Sequence, residues 1–364
     1  MGEILLVGTT HYPPLLYTDE GMVSQLRKHM ESDRVPPHMK EERNWPKEMQ
    51  AEYGPNGSNA MASAAAHREH LVEAFRRVRQ EIDAFRPDFV LIWGDDQYEN
   101  FREDLVPPFS VYISDKFETQ PFMRLWYSPS GEQVFNVWGE PVDKVFVHQG
   151  HPDGAKYLTS RLLEMGYPMP YSYKPLHFQG LPHAFMNTLL FLDYDRKGFD
   201  YPVVPFHVNC YGSSVVRNRG GSPLNASEDA EPDPPAPSPR LCFDVGAATA
   251  RALKDSPYRS VLIGSSSWSH AFLTLKHHML WPDIEADRAR FEELREGKQH
   301  LWKDLTLDQI EDAGQQELLN WVCLAGAITE LGYRPEIIDF TQTYIFNSSK
   351  CMMVARAKGA AAGS

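Results

Sequence analysis

Glu3-Ile4-Leu5-Leu6-Val7-Gly8-Thr9-Thr10-His11-Tyr12-Pro13-Pro14 decides the fold. Four consecutive apolar residues closed by a glycine predict a strand buried on both faces, as in a parallel sheet covered by helices. In open sheets of that kind, ligands bind in the crevice beyond the carboxyl ends of the strands. His11 stands just past such an end, and Pro13-Pro14 restrict the backbone that follows it. The position makes His11 a candidate metal ligand or catalytic group, although a lone loop histidine is more often a surface residue.

The same pattern recurs along the chain. From Ala64, apolar residues at 71, 75, 78, 82 and 85 predict an amphipathic helix that ends at Arg86-Pro87. Asp88-Phe89-Val90-Leu91-Ile92-Trp93 is then a buried strand, followed at once by Gly94-Asp95-Asp96-Gln97. Strand, helix, strand forms a βαβ unit with a right-handed crossover. Tyr201 to Asn209 and Ser260 to Gly264 read as further strands, and the second runs into Ser265-Ser266-Ser267-Trp268-Ser269-His270. Helices are expected after His151, over 184–192, over 241–253 and from Glu317 onward, with a final strand pair over 337–344 and 350–355. The fold class is therefore α/β, a largely parallel central sheet flanked by helices. Strands over 109–113, 134–138 and 145–147 predict a smaller additional sheet.

One domain over residues 1–357 is expected, with two insertions. Residues 18–60 are polar and charged, placed to fold over a site as a lid. Residues 212–239 hold Gly220-Gly221, an acidic cluster and several prolines, and read as a flexible loop. The tail 358–364 is expected to be disordered. A net charge of −13 argues against nucleic acid or an anionic membrane as partner, since both demand a basic patch. No apolar run is long enough to span a membrane, and no basic-then-apolar leader opens the chain. The four cysteines at 210, 242, 323 and 351 have no metal-binding or scaffold spacing, which points to the cytoplasm.

Eight loop motifs in one order resemble a known family. They are Gly8-Thr9-Thr10-His11-Tyr12-Pro13, Gly94-Asp95-Asp96-Gln97, Gly150-His151-Pro152-Asp153, Gln179-Gly180-Leu181, Val204-Pro205-Phe206-His207-Val208-Asn209, Pro239-Arg240-Leu241-Cys242-Phe243-Asp244-Val245-Gly246, Gly264-Ser265-Ser266-Ser267-Trp268-Ser269-His270 and Glu317-Leu318-Leu319-Asn320-Trp321. Together with Tyr344-Ile345-Phe346-Asn347-Ser348-Ser349 they resemble the class III extradiol ring-cleavage dioxygenases across nearly the whole chain. Within that family the pattern is nearest to the catalytic β subunits of protocatechuate 4,5-dioxygenase. The Gly-Asp-Asp-Gln loop is similar to the 3-O-methylgallate dioxygenase branch.

The resemblance implies one non-haem Fe(II) on two His and one Glu, a further His as acid/base, an aromatic catechol or gallate-like substrate with O2, and a homodimer. A two-His-one-carboxylate face leaves open positions at the metal, and a histidine suits the proton transfers of ring opening. His11 matches the first metal His, Glu317 the metal carboxylate and His270 the acid/base. Two positions depart from the pattern. The second metal His falls on Gln97, and a second active-site His falls on Gln179. Gln97 is a ligand candidate only through its carbonyl oxygen, whereas Asp96 beside it would complete a His/Asp/Glu face. His207, at the end of its own strand, and His177 and His183, flanking Gln179, are candidates for the missing imidazole, with His67 as a fallback; His177 and His183 are also read as catalytic. Gln179, His207 and Tyr12 are read as substrate-binding. The departures keep two alternatives in view: a metal-dependent oxygenase acting on a non-catechol substrate, and a non-catalytic scaffold or subunit of the same fold.

Overall fold

The computed structural model describes residues 1–124, 136–178, 180–220 and 231–357. The strands among the described residues are β1 (Glu3–Thr9), β2 (Phe89–Gly94), β3 (Phe109–Tyr112), β4 (Lys116–Thr119), β5 (Phe146–Gln149), β6 (Tyr171–Ser172), β7 (Val203–Val208), β8 (Arg259–Ser265), β9 (Arg334–Thr341) and β10 (Lys350–Arg356). The α-helices are α1 (Asp19–Glu31), α2 (Lys47–Tyr53), α3 (Ala60–Phe85), α4 (Pro152–Glu164), α5 (His183–Leu192), α6 (Pro239–Lys254), α7 (Ile284–Arg295), α8 (Leu307–Asp312) and α9 (Leu318–Leu331).

Eight strands form one sheet in the order β6-β3-β7-β2-β8-β1-β10-β9, and β4 pairs with β5 in a small antiparallel sheet. The expected α/β architecture with a lesser sheet is present. The four central strands, β7, β2, β8 and β1, are parallel. Antiparallel pairing enters on both flanks, where β3 meets β7 and β10 meets β1 and β9, so the sheet is mixed. β8 lies between β1 and β2, so the two strands of the first βαβ unit are not neighbours. The strand expected over 109–113 belongs to the large sheet. Of the one expected over 134–138, residues 134 and 135 lie outside the described residues, and Asn136 makes an isolated bridge to Tyr17.

Successive residues of a strand point to opposite faces, and here both faces are apolar. Ile4 and Leu6 of β1, with Phe89, Leu91 and Trp93 of β2, pack under α4, α6 and α9. Leu5 and Val7, with Val90 and Ile92, pack under α1, α3 and α5. α6 and α9 approach at two glycines. A Cβ on Gly246 would stand 1.8 Å from the Cys323 carbonyl oxygen, and one on Gly326 2.0 Å from that of Phe243. Residues 18–60 are not a polar appendage: Met22, Leu26, Trp45, Met49 and Tyr53 are buried in the second layer. Glu52 accepts from the Tyr344 N–H (2.7 Å), tying that segment to the chain's last third. Among the described residues no helix is long and apolar enough to cross a membrane.

Candidate metal centre

β1, β2 and β8 run in register, with Gly8 opposite Gly264 and Gly264 opposite Trp93. Their carboxyl ends therefore stop at one level. Thr10-His11, Asp95-Asp96-Gln97 and Ser266 to His270 emerge along a single edge. The first turn of α9 closes over that edge, because residues three and four apart on a helix share a face. Asn320 Nδ2 donates to Asp95 Oδ1 (3.1 Å) and the Ser265 carbonyl (3.2 Å). Trp321 Nε1 donates to the Thr9 (3.2 Å) and Ser266 (3.1 Å) carbonyls. Gly8 makes room for that indole, since a Cβ there would fall 2.1 Å from Trp321 Cη2. Ser266 Oγ donates to the Glu317 carbonyl (2.8 Å), and Glu317 sits at the N-terminus of α9, where the helix dipole favours a carboxylate.

The hydrogen bonds fix the tautomers. A carbonyl only accepts, so His11 Nδ1 donates to Ser265 O (3.1 Å) and His270 Nδ1 donates to Trp268 O (2.9 Å). In the neutral rings both Nε2 atoms then carry lone pairs. His11 Nε2 lies 3.2 Å from Glu317 Oε2 and 3.7 Å from Asp95 Oδ1; His270 Nε2 lies 3.4 Å from the same Glu317 Oε2. Glu317 Oε2 and Asp95 Oδ2 are buried without a hydrogen-bond partner. Lone pairs converging in a buried space call for a proton or a metal cation.

The electrostatics say the same. Burial pulls the His11 pKa down, but Glu317 and Asp95 outweigh it and push it up to about 8. Burial and Glu317 push Asp95 up to about 7 against the opposing pull of His11. For Glu317 burial favours the neutral acid, yet His270, His11 and the hydrogen bond from Tyr211 hold it well below the usual carboxylate range. His270 is lowered, burial outweighing the attraction of Glu317.

His183, at the start of α5, completes the surroundings. Its ring meets that of His11 edge-on, centroids 5.2 Å apart. Glu99 accepts from its backbone N–H (2.9 Å) and its Nδ1 (3.1 Å), the carboxylate–histidine pairing that orients metal-ligating imidazoles. His11, Asp95 and His183 each offer a ligand atom within 4.8 Å of the others, and all three are buried. Two His and one carboxylate is the donor set of mononuclear centres in non-haem, metal-dependent oxidoreductases.

Several expected residues are placed otherwise. The carboxylate beside His11 is Asp95 rather than Asp96, which accepts from the backbone N–H groups of Glu99 (2.7 Å) and Asn100 (2.9 Å). His177 is 35% exposed and pairs with Asp104 (2.8 Å), so it is not gathered at the cluster. His207 is buried in β7 with its ring 4.7 Å from Phe101, and burial pushes its pKa down to about 3. Tyr12 lies under the Lys350 ammonium, 3.5 Å from its ring centroid. Gln97 donates through Nε2 to Glu317 Oε1 (3.1 Å) and to the Tyr211 hydroxyl. Gln179 lies outside the described residues. Sequence reasoning passed over Tyr211, Glu99 and Asn320. Tyr211 had a legible signal, since it follows β7 as His11 follows β1.

No family model matches the chain. A curated dioxygenase of Pseudomonas putida, named 2,3-dihydroxyphenylpropionate/2,3-dihydroxicinnamic acid 1,2-dioxygenase 2, is 24% identical over 203 residues, 56% of this chain and 49% of its own. Its counterpart from Photorhabdus laumondii is 22% identical over 206 residues, 56% of this chain and 50% of its own. The chain thus spans about half the length of the curated relatives it matches. An uncharacterized Escherichia coli K12 protein of known structure aligns with 12% identity and a TM-score of 0.44, over 77% of this chain and 91% of that one. The similarity is distant and at family level, to proteins of the extradiol-dioxygenase type, and it singles out no branch of them.

Proposed function

We propose that this chain is a non-haem Fe(II)-dependent extradiol-type dioxygenase that opens a catechol- or gallate-like ring with O2. One observation carries the reading: the Nε2 atoms of His11 and His270 both face Glu317 Oε2, a buried oxygen without a hydrogen-bond partner, with Asp95 and His183 alongside. The donor chemistry fits a divalent iron. His11 and Glu317 would hold it, with Asp95 and His183 taking the place of the imidazole absent at position 97. Bound iron would supply Lewis acidity to a chelating diol and a route for electrons from ring to oxygen.

The protein's own share is proton handling and exclusion of water. His270 is kept neutral by burial, so its Nε2 lone pair takes a substrate hydroxyl proton and later returns it. Both atoms of O2 enter the product as a ring C–C bond breaks, and no external reductant is consumed. The names of the two curated relatives support an aromatic diol as substrate. The same reading takes in a homodimer and the cytoplasm, where four buried free thiols remain reduced.

Anaerobic reconstitution with Fe(II), followed by O2 and a panel of catechols and gallates, tests it. Stoichiometric iron and a ring-cleavage chromophore are expected. Iron binding without any cleavage favours a non-catechol substrate, a reading for which Gln97 in place of a histidine is the supporting observation. Absence of iron binding leaves only the scaffold.

A further inference from the structure

Gln97 occupies the position where the family pattern places a metal histidine, yet its hydrogen bonds run elsewhere. Glu317 Oε1 accepts from Gln97 Nε2 (3.1 Å) and from the Tyr211 hydroxyl (2.5 Å). A carboxylate in this state only accepts, so the amide orientation of Gln97 is fixed by its partner. Tyr211 has one proton, and Glu317 takes it. The contact between Gln97 and Tyr211 must then be a second amide hydrogen donated to the phenol oxygen. The three side chains form a closed triangle in which every proton has one direction. Both amide hydrogens of Gln97 are used, and Oε1 of Glu317 is saturated. Oε2 alone is left to face His11 and His270.

The triangle is braced from behind. The Gln97 backbone N–H donates to Glu99 Oε2 (3.3 Å), the carboxylate that also orients His183. Gly220, at φ +109°, lets its loop pass so close that a Cβ there would stand 2.9 Å from the Gln97 carbonyl oxygen. Tyr211 is buried at the end of β7.

We infer that Gln97 and Tyr211 are positioning residues that hold Glu317 in a one-oxygen presentation to the metal, and that Gln97 is not itself a ligand. The inference rests on the metal reading above. Second-layer partners of this type typically change metal affinity by roughly 10–100-fold.

The opposing roles predict opposite signs for Gln97→Glu. A ligating oxygen at position 97 becomes a stronger ligand when charged, so affinity would rise. A donor to Glu317 loses its hydrogens and gains a repelling charge, so affinity falls. Titration of the full-length metal-free protein with Co(II), followed by its visible absorption, measures this without turnover. The expected result is affinity weakened roughly 10–100-fold in both Gln97→Glu and Tyr211→Phe. The d–d bands should also lose intensity as Glu317 swings to two-oxygen binding and coordination number rises. Circular dichroism confirms that both variants are folded, and Tyr211→Phe preserves the ring packing should Gln97→Glu fail that check. Tighter binding in Gln97→Glu, or an unchanged spectrum and affinity in Tyr211→Phe, overturns the assignment while leaving the metal centre standing. A wild-type protein that takes up no Co(II) overturns both.

Discussion

At His11 one buried imidazole faces two carboxylates, and its proton inventory is therefore a stability statement. Its ordinary pKa of 6.5 becomes about 8 in the fold. The folded state thus holds the proton more tightly than the unfolded chain. The stabilisation is fully present below pH 6.5 and is lost as pH rises through about 8. At about 1.4 kcal/mol per pH unit, the loss is about 2 kcal/mol. Denaturant unfolding of the metal-free protein on either side of that interval should show the decline, and His11→Asn should remove it. A flat profile would mean that Glu317 and Asp95 do not act on His11 as their distances require. A metal competes for the same lone pair, so divalent-ion affinity should climb over the same pH range. Residue detail is also where sequence reading was weakest. Asp95 and Asp96 are adjacent and identical, and only the turn after β2 decides between them: Asp96 is consumed by two backbone N–H groups, while Asp95 faces His11. His183 flanked Gln179 in the sequence, but its orienting partner Glu99 lies 84 residues upstream.

Among the elements, α9 does most to assemble the centre, because Glu317, Asn320 and Trp321 bring its first turn onto the ends of β1, β2 and β8. Trp321→Phe keeps most of the apolar packing but leaves the Thr9 and Ser266 carbonyls without their shared donor. A loss of about 1–3 kcal/mol is expected, with weaker metal binding as Glu317 loosens; urea unfolding and Co(II) titration read the two effects. Unchanged stability would show that the indole N–H bonds do not secure the helix. Gly8→Ala should act on the same contact from the other side, since its Cβ would stand 2.1 Å from the Trp321 ring. Overpacking of this kind costs about 1–3 kcal/mol. Helices and central strands were legible because their apolar periods are clean, as in β1 and over Leu71 to Phe85 in α3. The core contribution of residues 18–60 was hidden, since Trp45, Met49 and Tyr53 stand among charged neighbours and bury against chain far away in sequence. The antiparallel placement of β10 beside β1 rests on pairing across most of the chain, which no local pattern reports.

On the scale of the molecule, three loops at strand ends and the N-termini of α5 and α9, drawn from positions 11 to 317, meet at a single point. Binding there joins both halves of the sequence, so a metal that binds only the folded chain should stabilise the whole of it. At roughly 100 times its dissociation constant, the gain is about 2.7 kcal/mol. Thermal unfolding with and without the ion should show one cooperative transition moving upward, and His11→Ala should abolish the shift. The strand-end rule made His11 and His270 legible as candidates, and the family resemblance did so for Glu317 at the start of α9; the geometry adds what faces them. The central claim is that a divalent metal sits between His11 and Glu317. Anomalous diffraction at the iron edge from crystals grown with Fe(II) tests it most directly. One peak at bonding distance from His11 Nε2 and Glu317 Oε2 is predicted, with the Gln97 amide outside the coordination shell. No peak, or a peak away from His11, would contradict it.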